Sequence, residues 1–191
     1  MKNSYNVKRI RTSTPKLKTK PEVIPEKPKK ISTIEIEESL ARYFNFRVNI
    51  IVPNISWGFH GSHEMDLLVL KKSGYCSEIE IKISFSDLKA DFKKEHEHKS
   101  KYIREFYYAF PSEFYEKFEP LIPKHAGIIV CERNKYNEIV FSKLKRKATI
   151  NTLAKKLTID DQMKIRRLGC LRIFSLKKKI ILLQKQISEL K

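Results

Sequence analysis

The sequence lacks long apolar runs. None approaches the roughly 20 residues of a membrane-crossing helix, so a membrane role is not expected. Cysteine is scarce: Cys76, Cys131 and Cys170 are far apart and odd in number. They form neither a disulfide framework nor a CxxC zinc pair, which points to a reducing cytoplasm. No apolar stretch follows the N-terminal charges, so no secretory signal is expected. Zinc ligands in a useful order are missing too. His60-x-x-His63-Glu64 lies in a two-glycine loop without the helical spacing of a zinc protease. His96-x-His98 would point to different sides of a helix, and neither group closes a ligand set.

Acid is in short supply as well. Forty Lys and Arg face twenty-two Asp and Glu, a formal net charge of +18 over 191 residues. The excess is uneven. Residues 1–30 hold ten basic against two acidic groups, and residues 143–191 hold fifteen against three. The centre, residues 31–142, holds fifteen against seventeen. Two basic arms therefore flank a slightly acidic middle. A polyanion such as DNA is the natural partner, because basic segments release counterions from a phosphate backbone. A solvated lysine surface is the plainer alternative. No basic stretch reads as an interfacial membrane anchor.

Residues 1–31 are rich in Lys, Thr and Pro, and a disordered basic tail is expected there. Ile36, Leu40, Tyr43 and Phe44 follow helical spacing behind the candidate cap Ser32-Thr33, which predicts a helix over 33–44. Strands are expected at 47–52, 65–71 and 77–83. A charged helix should run from Ser86-Asp87 to about Ile103. A strand at 105–110, a short helix from Ser112 to about Phe118, and strands at 126–131 and 138–142 follow. The order is α-β-β-β-α-β-α-β-β, a mixed α/β domain over residues 32–145. Residues 146–191 are expected as a basic helical extension. In it, Ile173, Leu176, Ile180, Leu183, Ile187 and Leu190 are spaced 3-4-3-4-3, the seam of a coiled coil. Packing on the protein's own core and a homodimer through this helix both remain open.

The chemistry concentrates in residues 64–84. Asp66 opens an apolar run, Lys71-Lys72-Ser73-Gly74 turns the chain, and Glu78, Glu80 and Lys82 alternate with Ile79, Ile81 and Ile83. A strand has period 2, so the charges share one face and the isoleucines the other. Such carboxylates hold a hard cation through oxygen. A lysine beside them orients water or stabilises an anion. The alternative is a Glu80–Lys82 ion pair on an exposed hairpin. Glu78, one pleat from Glu80, is expected to be exposed. Ser84 and the helix residues Lys94, Lys99 and Lys101 are candidates for phosphate contacts, and Trp57 and Phe59 are candidates for stacking on a base.

This arrangement resembles the PD-(D/E)xK nuclease superfamily, whose αβββαβ core carries an acid on the second strand and E-x-K on the third. Asp66 and Glu80-Ile81-Lys82 take those places. Ile51-Val52-Pro53-Asn54, His63-Glu64-Met65-Asp66, Glu78 to Ser84, Asp87 to Asp91 and Tyr108-Ala109-Phe110-Pro111 look more specifically like the MmcB-like branch of DNA-repair and phage proteins. Met65 departs from the proline of the superfamily's name. The resemblance covers about residues 33–142. It implies a restriction-endonuclease-like mixed sheet flanked by helices, and Mg²⁺-dependent hydrolysis of DNA, with Mn²⁺ as an alternative ion. Asp66, Glu80 and the Ile81 carbonyl would hold the metal, and Lys82 would position water. The family often adds a glutamate from the first helix. Among Glu35, Glu37 and Glu38, Glu37 lies closest to the apolar face and is the expected one. A nucleic-acid-binding protein without catalysis is the alternative function.

Overall fold

The computed structural model describes residues 30–55, 64–92, 100–136 and 140–190. Expectations placed before Lys30, on Trp57, Phe59, His60 and His63, and on Lys94, His96, His98 and Lys99 lie outside the described residues.

The order of elements is α1 (Thr33–Tyr43), β1 (Ile50–Ile55), β2 (Met65–Leu70), β3 (Cys76–Ile81), α2 (Phe85–Phe92), β4 (Ile103–Pro111), α3 (Tyr115–Phe118), β5 (Gly127–Arg133), β6 (Val140–Arg146) and α4 (Ile159–Glu189). The six strands form one sheet in chain order. β1, β2 and β3 are antiparallel neighbours, β3, β4 and β5 are parallel, and β6 returns antiparallel. The antiparallel pairs need only turns. In the β2–β3 turn Gly74 takes φ +86° and its N–H donates to the Lys71 carbonyl at 2.9 Å. That backbone conformation favours glycine. The parallel pairs need crossovers, which α2 and α3 provide.

Two cores sandwich the sheet. On one face α1 buries Ile36 and Leu40 against Leu67, Val69, Ile79 and Ile81. On the other, Leu88 of α2, Phe118 of α3 and Ile165 of α4 cover Leu68, Tyr108 and Ile128. Ile79 and Ile81 thus face α1, and the charged side of β3 faces α2. The chain is a mixed α/β fold with helices on both faces of a mixed sheet.

Local chemistry sets the helix ends. Ser32 caps α1 in a capping box with Glu35, which satisfies two orphan N–H groups reciprocally. Thr158 caps α4, its Oγ1 accepting from Asp161 N at 3.1 Å.

Several expected boundaries differ. β1 runs through Pro53 to Ile55 rather than ending at Val52. It is the edge strand, where proline is tolerated because one side of the backbone is unpaired. The helix expected to reach Ile103 does not. Ser100–Tyr102 form a turn, and β4 begins at Ile103. The β-branched Ile103 pairs with Cys76 of β3, so sheet pairing overrides the charged helical pattern before it.

The division expected at residue 146 does not separate two bodies. Leu157 and Ile165 lie in the main core. The intervening backbone is tied down as well, with Asn151 N donating to Arg104 O and Leu157 N to Gly74 O, each at 2.9 Å. Gly169 of α4 lies close against Val52, where an added Cβ would come within 3.3 Å of the valine methyl. Beyond Arg172 the helix leaves the body, and residues 173–190 are all exposed.

Candidate functional site

Register assembles the acids. The β2–β3 ladder pairs Leu67 with Ile79 and ends there. Continued by one residue, it sets Asp66 opposite Glu80. Like charges directly opposite each other repel, and the ladder stops at that point. Asp66 replaces the next backbone bond with its side chain: Oδ2 accepts the Ile81 N–H at 2.8 Å. An extended residue directs its N–H and C=O to the same side, so the Ile81 carbonyl lies on the Asp66 edge of β3.

Glu80 and Lys82 are buried, at 2% and 3% exposure. Lys82 Nζ lies 2.8 Å from Glu80 Oε2 and 3.0 Å from Asp91 Oδ1. Tyr108 donates its hydroxyl to Asp91 Oδ2 at 2.8 Å. The Glu80–Lys82 pair is therefore a sealed one, not the exposed hairpin pair weighed from sequence. β3 lies inside the sheet with helices on both faces. The same covering corrects Glu78, expected exposed and found fully buried.

Burial, then the charge of Asp66, raises the Glu80 carboxyl. Lys82 opposes this, Glu78 adds to it, and the group stands at about 7. Burial alone would lower Lys82. The carboxylates of Glu80 and Asp91 outweigh it and hold the ammonium above its ordinary range. Glu80 Oε1 is buried and has no hydrogen-bond partner among the described residues.

The three first-helix glutamates separate clearly. Glu35 is held down to about 2, first by the Ser32 backbone N–H and then by the Ser32 hydroxyl, with Arg133 assisting. It caps α1 and ties it to β5 through a 2.8 Å ion pair with Arg133. Glu38 pairs with Arg42 on the surface. Glu37 is half-buried. Burial raises its carboxyl, the nearby Asp66 charge raises it further, and a hydrogen bond with the Asn54 side chain opposes both. Asn54 sits at φ 52° at the end of β1, a left-handed position that asparagine tolerates. Glu37 from α1, Asp66 from β2 and Glu80 from β3 thus share one neighbourhood.

The other expected contacts fall elsewhere. Ser84 caps α2: its Oγ accepts the Asp87 N–H at 3.2 Å, and its carbonyl accepts the Leu88 N–H at 3.1 Å. Lys101 is exposed before β4, its ammonium 5.3 Å from the Tyr102 ring. β3 and β4 are parallel, with Ile103 beside Cys76 and Tyr108 beside Glu80. Lys101 therefore lies at the far end of the strands, on the order of 17 Å from the acids at about 3.3 Å per residue. It does not join the Glu80 site.

Asp91 was missed as a site residue. It lies three residues beyond Leu88, on the helix face that packs inward, and an acid there has to find a partner.

A cavity of about 450 Å³ opens beside Asn54, lined also by Leu171, Arg172, Phe174 and Lys178 of α4. Arg172 donates to the Asn54 carbonyl. Asn54 thereby links the basic helix to Glu37. A second cavity, of about 430 Å³, lies by Lys101, Arg104 and His125, away from the acids.

No family model and no curated protein matches the chain. A solved structure does: the SPO1766 protein of unknown function from Silicibacter pomeroyi, at 17% identity and TM-score 0.53. The match covers 76% of this chain and 88% of that one. It shows a shared fold and no more.

The residues present fit a divalent cation in part. The charge of Asp66 raises both Glu37 and Glu80, and one Glu80 oxygen is buried without a hydrogen bond. All the donors are hard oxygens, as Mg²⁺ prefers. Yet among the described residues no group of three or more His, Cys, Asp or Glu is placed to hold a metal ion together. In this arrangement the Lys82 ammonium supplies the positive charge.

Proposed function

We propose that the chain is a divalent-cation-dependent nuclease that hydrolyses DNA phosphodiester bonds in repair, restriction or phage DNA metabolism. One observation carries the reading: acids from α1, β2 and β3 gather near a buried lysine where the β2–β3 ladder ends. Asp66, Glu80 and the Ile81 carbonyl would hold Mg²⁺ or Mn²⁺, with Glu37 beside them. A cation there would offset phosphate charge and lower the pKa of a water bound to it.

The chain's own groups have separate tasks. Glu80 uses Oε2 to hold Lys82 and keeps Oε1 for the ion. Lys82, kept charged by Glu80 and Asp91, offsets negative charge that develops on the phosphate. Burial strengthens that interaction by excluding water. The basic residues Arg172 and Lys178 flank the cavity at Asn54 and favour a phosphate backbone approaching from that side.

The test is cleavage of labelled single-stranded, duplex and branched DNA with Mg²⁺ or Mn²⁺. Lys82→Ala and Asp66→Ala should each abolish it. Equal cleavage by wild type and both variants would overturn the assignment.

A second reading has its own support. In the sealed Glu80–Lys82–Asp91 network the Lys82 ammonium already pairs with both carboxylates, as in a nucleic-acid-binding protein that does not cut. That protein would bind DNA in a salt-sensitive way, indifferent to Mg²⁺ and to Lys82→Ala.

A further inference from the structure

The exposed half of α4 carries an apolar face that the domain does not cover. The six residues of its seam, Ile173, Leu176, Ile180, Leu183, Ile187 and Leu190, are each more than half exposed. They form one continuous apolar stripe along the helix, and a monomer ordinarily leaves no apolar patch larger than roughly 300–600 Å² uncovered.

The pattern within this face selects the occupant. Ile173, Ile180 and Ile187 fall at one heptad position, and Leu176, Leu183 and Leu190 at the other. In a parallel coil, isoleucine at a with leucine at d favours two strands. The sequence is thus complementary to itself in register. The seam also begins where the body ends. The preceding a and d positions are Arg166 and Gly169, and Gly169 lies against Val52. Of the helix residues at the Asn54 cavity, Leu171, Phe174 and Lys178 lie roughly opposite the seam on a wheel of about 100° per residue, while Arg172 borders it. Seam and cavity therefore share only that one flank.

We propose that the second half of α4 pairs with the same segment of a second copy of this chain as a parallel two-stranded coiled coil. This is independent of the nuclease reading. Parallel pairing sets both domains at the same end of the coil. The flanking positions Arg172 and Lys177 bring like charges together between the copies, so added salt strengthens the pairing. Binding to a polyanion has the opposite salt dependence.

Sedimentation of the full chain tests the proposal at micromolar concentration, in high salt so that bound nucleic acid is released. A dimer is expected. Ile180→Lys combined with Leu183→Lys should give a monomer whose thermal unfolding of the domain is unchanged, since these residues touch no part of it. Orientation is read by Leu176→Cys in a Cys170→Ser chain with a mild oxidant added. Parallel strands place the two new thiols side by side, and a disulfide-linked dimer should form. A wild-type monomer, a dimer that survives the double variant, or a dimer that fails to cross-link would each overturn the proposal.

Discussion

Lys82, the residue after β3, reaches Asp91 in α2, Nζ to Oδ1 3.0 Å, with both side chains almost sealed from solvent. The contact joins the strand that carries the acids to the helix that covers them. Tyr108 closes the other side of Asp91. Three elements, β3, α2 and β4, are thereby fixed around one ammonium. Removing one member of a buried charged group leaves the others uncompensated, which costs more than the group contributes as a whole.

Asp91→Asn should therefore destabilise the fold by about 2–4 kcal/mol, the remaining Glu80 partner softening the loss. Tyr108→Phe removes one hydrogen bond to a charged acceptor and should cost about 1.5–3 kcal/mol. Denaturant midpoints measure both. If the chain cuts DNA, Asp91→Asn should also lower the alkaline limb of the rate against pH, because Lys82 loses an anion that holds its proton. A purely structural Asp91 would leave that limb in place.

Glu80 sets a second pH dependence. Its folded pKa of about 7 lies above the ordinary 4.5, with burial the first cause and Asp66 the second. A raised carboxyl binds more proton in the folded than in the unfolded chain. Its contribution is complete below about 4.5 and is lost as pH rises through about 7. The loss is on the order of 3 kcal/mol at most. Thermal unfolding from pH 4 to 8 should show this decline, and Glu80→Gln should remove it. Saturating Mg²⁺ should flatten it as well, since a cation on Glu80 favours the ionised form. A decline unchanged by Mg²⁺ would argue against an ion at this carboxylate.

Much of this was legible in the chain. Period-2 alternation in residues 78–83 placed Glu78, Glu80 and Lys82 on one face of β3, and the turn at Gly74 set β2 against it. Helical spacing put Glu37 nearer the core than its neighbours, and the structure places it beside Asp66. Burial was not legible. Alternation says which face a charge occupies and not what covers that face. Glu78 was therefore expected in solvent, an exposed Glu80–Lys82 pair stood as the alternative to a metal site, and α2 covers both. Asp91 was hidden for the same reason, because its partners Lys82 and Tyr108 are nine and seventeen residues away. The extension after residue 146 read as separate because it is basic. Leu157 and Ile165 show that a few apolar residues suffice to dock a charged segment.

Gly127 offers a test of the fold that is independent of function. A Cβ added there would lie 2.3 Å from the Tyr107 ring and 2.7 Å from the Ala148 backbone nitrogen. Both are far inside contact distance, and one is backbone that cannot rotate away. Gly127→Ala should lower stability by about 1–3 kcal/mol through overpacking. The readout is the denaturant midpoint. An unchanged midpoint would mean that β4 and β5 do not approach this closely.

The three glutamates of α1 give the sharpest separation of roles. Glu37 is raised by burial and by Asp66, so it gains most from a nearby cation. Glu37→Gln should weaken Mn²⁺ binding about tenfold, equivalent to roughly 1.4 kcal/mol, while leaving thermal stability unchanged or slightly higher because a like charge beside Asp66 is gone. Glu35→Gln should do the reverse. Its carboxyl is held down to about 2 by Ser32 and Arg133, so its contribution to stability is present above the ordinary carboxylate range and lost as pH falls toward 2. Neutralising it should lower the melting temperature and leave Mn²⁺ affinity alone. Glu38→Gln, on the surface with Arg42, should change neither by much, because exposed ion pairs contribute little. Calorimetric titration with Mn²⁺ and thermal melts of the three variants read the two quantities separately. Equal Mn²⁺ affinity in all three would remove Glu37 from the site.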